Sequence, residues 1–173
     1  MLIEPTTHGD DRGYFLETFR KDLFEEAIGY KVDFVQDNES KSTKGVLRGL
    51  HYQLPPYTQA KLVRVIKGSV LDVAVDIRKS SPTFGQHVAV ELTEQNKHQL
   101  FVPHGFAHGF VVLSNSATFA YKVDNYYAPK HDRGIAFNEI KLNIDWKLPL
   151  EKLQLSAKDE AHPNLADATE LFS

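Results

Sequence analysis

The sequence predicts a mainly β protein, built as an antiparallel sandwich or barrel, on three observations. Several short segments alternate apolar and polar residues at period two, turn signals separate them every ten residues or so, and only one stretch near the start carries helical spacing. The clearest strand is 69–78. Leu71, Val73, Val75 and Ile77 fall on one face, and Asp72, Asp76 and Arg78 on the other with Val70 and Ala74 between them. That is the pattern of a strand with one face in the core and one towards water. The segment 87–92 alternates likewise, with Val88, Val90 and Leu92 on one face. Segments 61–67, 109–113 and 118–124 are further strands, and 45–53 is strand-like. So many strands without interleaved helices pair as antiparallel sheets. The helix is Lys21 to Ile28, with Leu23, Phe24, Ala27 and Ile28 at helical spacing and Gly29 as its stop. The tail 153–173 reads as short helical turns packed on the outside.

Composition sets bounds on what the chain does. Its 173 residues fit one domain, 1–173, with enough apolar surface to form a core without covalent staples. The absence of cysteine excludes disulfides and Cys-ligated metal, and fits the expected cytoplasmic location. The start of the chain lacks a basic region followed by an apolar core, so no signal peptide is expected. No apolar run approaches the roughly 18 residues of a membrane helix, so no membrane partner is expected. A formal net charge of −3 argues against general nucleic-acid binding, while locally placed Arg and Lys could still hold one anionic ligand.

Five places could carry chemistry. In 45–53, Arg48 and His51 lie three apart, so strict alternation sends them to opposite faces; Gly49 between them could mark a bulge that turns both inward. Read alone, they are a surface arginine and an isolated core histidine. Lys61 heads a strand, and is either a solvated edge lysine or a cation aimed at an oxyanion. His104 and His108 are four apart, but Pro103, Gly105 and Gly109 oppose the helix that would bring them together on a metal, and suit a tight lead-in to a strand. Tyr121 shares its face with Phe119 and Val123, so its phenol points inward, where it needs a partner. Ser156 and Asp159 form a capping-box pattern, from which no catalytic role can be read.

Taken in order, these segments resemble the RmlC family, the dTDP-4-dehydrorhamnose 3,5-epimerases. The resemblance rests on GDDRGYFLE at 9–17, FVQDNES at 34–40, VLRGLHYQ at 46–53, KLVRV at 61–65, DVAVDIR at 72–78, SPTFG at 81–85, PHGFAHGF at 103–110, YK at 121–122 and LSAKD at 155–159. It implies a cupin-type jelly roll with short peripheral helices, working as a homodimer with a dTDP-sugar substrate and neither cofactor nor metal. His51 would be the base, Asp159 its orienting carboxylate, Tyr121 the acid on the other face of the sugar ring, and Lys61 the cation at the 4-keto oxygen. Arg12, Glu17, Gln36, Asp37, Asn38, Arg48, His108, Tyr127, Asp132 and Lys158 match positions that contact the substrate, as does Lys61.

The implied chemistry suits these groups. The C3 and C5 protons of a 4-ketosugar are acidic because the carbanion delocalises onto the ketone oxygen. Inversion needs one group to remove a proton from one face and another to return it to the other. The implied reaction converts dTDP-4-dehydro-6-deoxy-D-glucose to dTDP-4-dehydro-L-rhamnose, a step of dTDP-rhamnose biosynthesis. Alternatives are an epimerase acting at one carbon only and a non-catalytic cupin that binds sugar nucleotides. A metal-dependent cupin oxygenase is disfavoured because no His-x-His occurs in the chain.

Overall fold

The computed structural model describes residues 1–173. Its strands are β1 (Leu2–Ile3), β2 (Thr7–Asp10), β3 (Gly13–Leu16), β4 (Gln36–Thr43), β5 (Leu47–Gln53), β6 (Lys61–Lys67), β7 (Ser69–Asp76), β8 (His87–Thr93), β9 (Gln99–Val102), β10 (Phe106–Val112), β11 (Ser116–Val123) and β12 (Asp132–Gly134). Two helices, α1 (Lys21–Ile28) and α2 (Ala157–Glu160), and one 3-10 turn (Leu150–Lys152) complete it. One sheet runs β1-β9-β6-β11-β4 and the other β12-β5-β10-β7-β8, while β2 and β3 form a separate hairpin. Every strand pairing is antiparallel. This is the jelly roll that the sequence implied.

Alternation decides what each sheet face meets. Val63 and Val65 of β6, Val70 and Ala74 of β7, Phe110 and Val112 of β10 and Phe119 of β11 fill the space between the sheets. Leu71, Val73, Val75 and Ile77 turn to the far side of the second sheet, where the C-terminal segment covers them with Leu142, Trp146 and Leu165. Leu62 and Phe101 turn to the far side of the first sheet, beneath Phe24 of α1. Gly29 ends α1 in the left-handed conformation at φ 80, as its sequence position suggests. Each fully buried aliphatic side chain contributes roughly 1.5–3 kcal/mol.

One expectation needs correction, and one strand had none. The strand at 69–78 is not half-exposed: it ends at Asp76 and is buried on both faces, because it lies inside its sheet and the tail covers its outer side. Asp72 and Asp76, read as solvent-facing, are 0% and 1% exposed. Strand β4 was not anticipated at all. Its inward residues Gln36, Asn38, Ser40 and Ser42 are as polar as its outward ones, so its period-two pattern carries no contrast in hydropathy.

The bulge at Gly49 is present. Leu47, Leu50 and Tyr52 face the core beneath the tail, whereas Arg48 and His51 line the cavity between the sheets. Against β10, His51 pairs with His108 but Arg48 pairs with Phe110, so three steps on β5 span two on β10. Gly49 takes φ 136, and a Cβ there would lie 2.5 Å from the Cα of Gly109. Gly49→Ala therefore strains the backbone and drives two strands apart. Urea unfolding is expected to show a loss of about 2 kcal/mol or more; an unchanged midpoint would mean that the close approach is dispensable.

Candidate active site

The two sheets part at one end around a cavity of about 380 Å³, lined by residues that include Gln36, Asn38, His51, Lys61, Tyr121, Tyr127, Asp132 and Lys158. An adjoining lobe of about 270 Å³ shares His51, Lys61, Tyr121 and Lys158, and adds Arg48, His108 and Asp159. His51, Arg48 and His108 come from the second sheet, Lys61, Tyr121 and Asn38 from the first. The inward face that is apolar along Val63 and Val65 ends in Lys61, and the one along Ala117 and Phe119 ends in Tyr121. A further groove of about 380 Å³ lies around Asp37, Arg64 and Lys122, without a histidine.

His51 Nε2 lies 2.6 Å from Asp159 Oδ1, across 108 residues of sequence. Asp159 is 4% exposed. Burial pushes its carboxyl up, but the nearby His162 ring, the hydrogen-bonded His51 and Ser156 together outweigh this and hold it well below the usual carboxylate range. It is thus ionised at neutral pH, so Nε2 of neutral His51 carries the proton and donates it. Nδ1, with no partner in the protein, keeps its lone pair. The capping reading of this segment also holds, since the Asp159 amide donates to Ser156 Oγ at 3.2 Å. The tail that presents Asp159 is tied down by backbone bonds, from Leu47 N to Gln154 O at 2.9 Å and from Ala136 N to Pro163 O at 2.8 Å.

Lys61 is no solvated edge lysine. Burial pushes its ammonium down to about 8, although Asp132 and Asp72 pull the other way. Tyr121 is pushed up by burial, against the pull of Arg48, and so stays protonated at neutral pH. His108 Nε2 lies 2.9 and 3.0 Å from the two oxygens of Asp72. Burial pushes the Asp72 carboxyl up against the pull of His108 and Lys61. His104 instead meets Asp124 at 2.8 Å, so the two histidines of 103–109 do not converge. Arg48 donates from Nε to Ser42 Oγ at 3.1 Å.

At the mouth, Tyr127 donates to Asp132 at 3.0 Å, Lys158 pairs with the same carboxylate, and Gln36 donates to Asn38 at 2.8 Å. Three residues of the expected set are not brought in. Arg12 pairs with Asp10 on the exposed β2–β3 hairpin, Glu17 is exposed just beyond it, and Asp37 alternates outward to Lys122 at 2.9 Å. Sequence reasoning missed Asp72, Ser42 and His162. Asp72 had a usable signal, a carboxylate within the otherwise apolar run 70–75, but it was read as a solvent-side residue.

Lys61 generates a stability prediction. Its folded-state pKa is lowered to about 8, against about 10.4 in the unfolded chain. Between these values the unfolded chain binds more protons, so stability rises with pH there. Lys61→Met is expected to unfold at higher urea at pH 7, by on the order of 1 kcal/mol, with the gain shrinking between about pH 8 and 10. A variant less stable at pH 7 would contradict the assignment of Lys61 as a desolvated cation.

Comparison with known proteins gives the family. The family model described as dTDP-4-dehydrorhamnose 3,5-epimerase matches residues 1–167. The chain is 56% identical over 168 residues to the dTDP-4-dehydrorhamnose 3,5-epimerase of Shigella flexneri, covering 97% of this chain and 92% of that one. It is similar to the crystal structure of the dTDP-6-deoxy-D-glucose-3,5-epimerase of Legionella pneumophila in complex with dTDP-4-keto-L-rhamnose, with TM-score 0.94, 53% identity, and 99% and 91% of the two chains covered. A 3'-monoepimerase of Streptomyces bikiniensis in complex with dTDP-quinovose is similar at TM-score 0.90 and 35% identity, with 95% and 83% covered. A jelly roll whose interior turns from aliphatic to ionisable at one end, matched along nearly its whole length, places the chain in the dTDP-4-dehydrorhamnose 3,5-epimerase family of isomerases.

Proposed function

We propose that the cavity epimerises dTDP-4-dehydro-6-deoxy-D-glucose at C3 and C5 to dTDP-4-dehydro-L-rhamnose. The observation that carries the mechanism is the placement of His51, held by Asp159 of α2, on one sheet and of Tyr121 and Lys61 on the other, around one cavity. A sugar ring held between the sheets has a base on one side and an acid on the other.

His51 Nδ1 removes the proton beside the ketone, and the electron pair of the broken C–H bond moves onto the ketone oxygen. Asp159 keeps the imidazole in the right tautomer and stabilises the imidazolium. The Lys61 ammonium stabilises the oxyanion, a charge that is absent from the ground state. Tyr121 then gives its proton to the carbon from the opposite face, and the enolate electrons return to form the new C–H bond. Arg48, which pulls the phenol's pKa down, stabilises the phenolate until the imidazolium has released its extra proton to solvent and solvent has returned one to Tyr121. Lys158 at the mouth and Arg48 supply positive charge for the diphosphate in a chain of net charge −3.

The proposed assembly is a homodimer. In it the β2–β3 hairpin, which leaves Tyr14 and Phe15 59% and 68% exposed, packs on a second copy, and Arg12 and Glu17 reach substrate there. Asp37 would need to be reached from the sheet's outer side. A cytoplasmic location belongs to the same reading, because a charged nucleotide sugar does not cross a bilayer unaided; no helix here is long and apolar enough to cross one.

Turnover in D2O, followed by proton NMR at C3 and C5 separately, is expected to place deuterium at both carbons. Label at one carbon only would favour the single-centre epimerase, and unlabelled product would sink the mechanism. His51→Asn is expected to lower kcat about a thousandfold; a variant with full activity would leave only a binding role. For the wild type, kcat/KM is expected to fall as pH rises through about 8, where Lys61 loses its proton. A rate that holds flat to pH 10 would remove Lys61 from the oxyanion.

A further inference from the structure

The catalytic reading leaves one buried group without work. Nε2 of His162 is the buried side-chain nitrogen or oxygen that finds no hydrogen-bond partner. Its side chain is 10% exposed, and Nε2 stops 3.6 Å from Asp159 Oδ1, the same oxygen that His51 Nε2 reaches at 2.6 Å. An unmet buried imidazole nitrogen is costly unless something occupies the gap. We propose that His51, Asp159 and His162 bind a divalent transition metal of the zinc class, and that the bound metal switches the His51 base off. The switch rests on the proposed function; the binding does not.

Geometry and donor chemistry both favour the site. The three ligand atoms lie within 4.8 Å of one another. A tetrahedral zinc with bonds of about 2.0–2.2 Å keeps its ligand atoms roughly 3.3–3.5 Å apart. The observed 2.6 and 3.6 Å from the carboxylate straddle that spacing, and all three ligand atoms stay within 4.8 Å, so side-chain adjustment without backbone rearrangement closes the site. Two imidazoles and a carboxylate form a donor set that zinc takes with one position left open, whereas calcium and magnesium prefer oxygen ligands alone. The two rings stand edge to face, 5.5 Å apart and at 82°. Gly134 of β12 backs His162 so closely that a Cβ there would lie 2.3 Å from Nε2. The ring therefore cannot retreat from the gap in that direction.

The consequence for His51 follows from its tautomer. Its Nε2 now carries the proton that Asp159 accepts. Zinc takes the Nε2 lone pair, so the neutral ring must hold its proton on Nδ1 instead. No bond to carbon changes and no net proton is lost, but the lone pair that would remove the substrate's proton is gone. Zinc should then lower kcat rather than raise KM.

The test is equilibrium dialysis of the intact protein against Zn2+, with cobalt(II) absorption as a second readout, beside turnover with and without a chelator. The wild type is expected to bind one zinc per chain and to lose turnover reversibly. His162→Ala and His162→Gln are expected to weaken zinc binding about tenfold or more, so that each needs correspondingly more zinc to lose the same fraction of its own metal-free turnover. Zinc held as tightly by both variants, or no zinc held by the wild type, would overturn the site. Zinc bound through His162 without loss of kcat would overturn the switch and leave the site standing. A metal-free wild type that does not turn over would count against the proposed function, while the dialysis result would still decide the site.

Discussion

The close approach of Gly49 to Gly109 is the constraint on which the site depends. A regular β5 would put Arg48 and His51 on opposite faces of its sheet. One of them would then be lost to the core beneath the tail, where Leu50 and Tyr52 now pack. The extra residue restores the phase within a single step, and it does so only because neither strand carries a side chain at the contact: a Cβ on Gly109 would lie 2.6 Å from the Arg48 carbonyl oxygen. The same slip sets His51 opposite His108, so the proposed base and the Asp72-bound imidazole come to line one lobe. The position of two cavity-lining residues is therefore set by the absence of two β-carbons.

The interior of the sandwich has two ends of opposite character, produced by the same strands. Along β6, β10 and β11 the inward residues change from Val65, Val112 and Ala117 to Lys61, His108 and Tyr121. The apolar end supplies cohesion, and the polar end is expensive, because ionisable groups held away from water must find partners or shift their pKa. His51 and Asp159 satisfy each other, as do His108 and Asp72. Lys61 has no such partner and carries the penalty as a lowered pKa. A cation left unpaired in this way is available to a developing oxyanion.

Much of this could be read in the sequence, and what escaped did so for definite reasons. Strands with one apolar face, such as β6 and β11, announced themselves, and so did α1 with its terminal Gly29. β4 escaped because it lines a polar cavity, so both its faces are polar. Asp72 stands out in an apolar run, but its burial is hidden, because alternation reveals which residues share a face and not what covers that face. The Arg48–His51 conflict was visible, and Gly49 pointed to its resolution. The pairing of His51 with Asp159 was beyond any local pattern, since 108 residues separate them; only the family resemblance connected the two. His162 had no signal, because its meaning lies entirely in the 3.6 Å gap to Asp159.

The C-terminal segment is where fold and chemistry are least separable. It covers the outer face of the second sheet with Trp146 and Leu165, and its chain is stitched to that sheet by Tyr52, whose hydroxyl donates to the Glu170 carbonyl at 2.9 Å, and by Lys79, whose amide donates to the Phe172 carbonyl at 2.8 Å. Those contacts bury apolar surface on the outer side of the sheet, yet they also fix where α2 stands and hence where Asp159 points. A four-residue helix has too few internal bonds to hold a carboxylate in place. The tail's packing must therefore supply the rigidity that the His51–Asp159 hydrogen bond requires. In this molecule the covering of the core and the orientation of the His51 ring are one structural event.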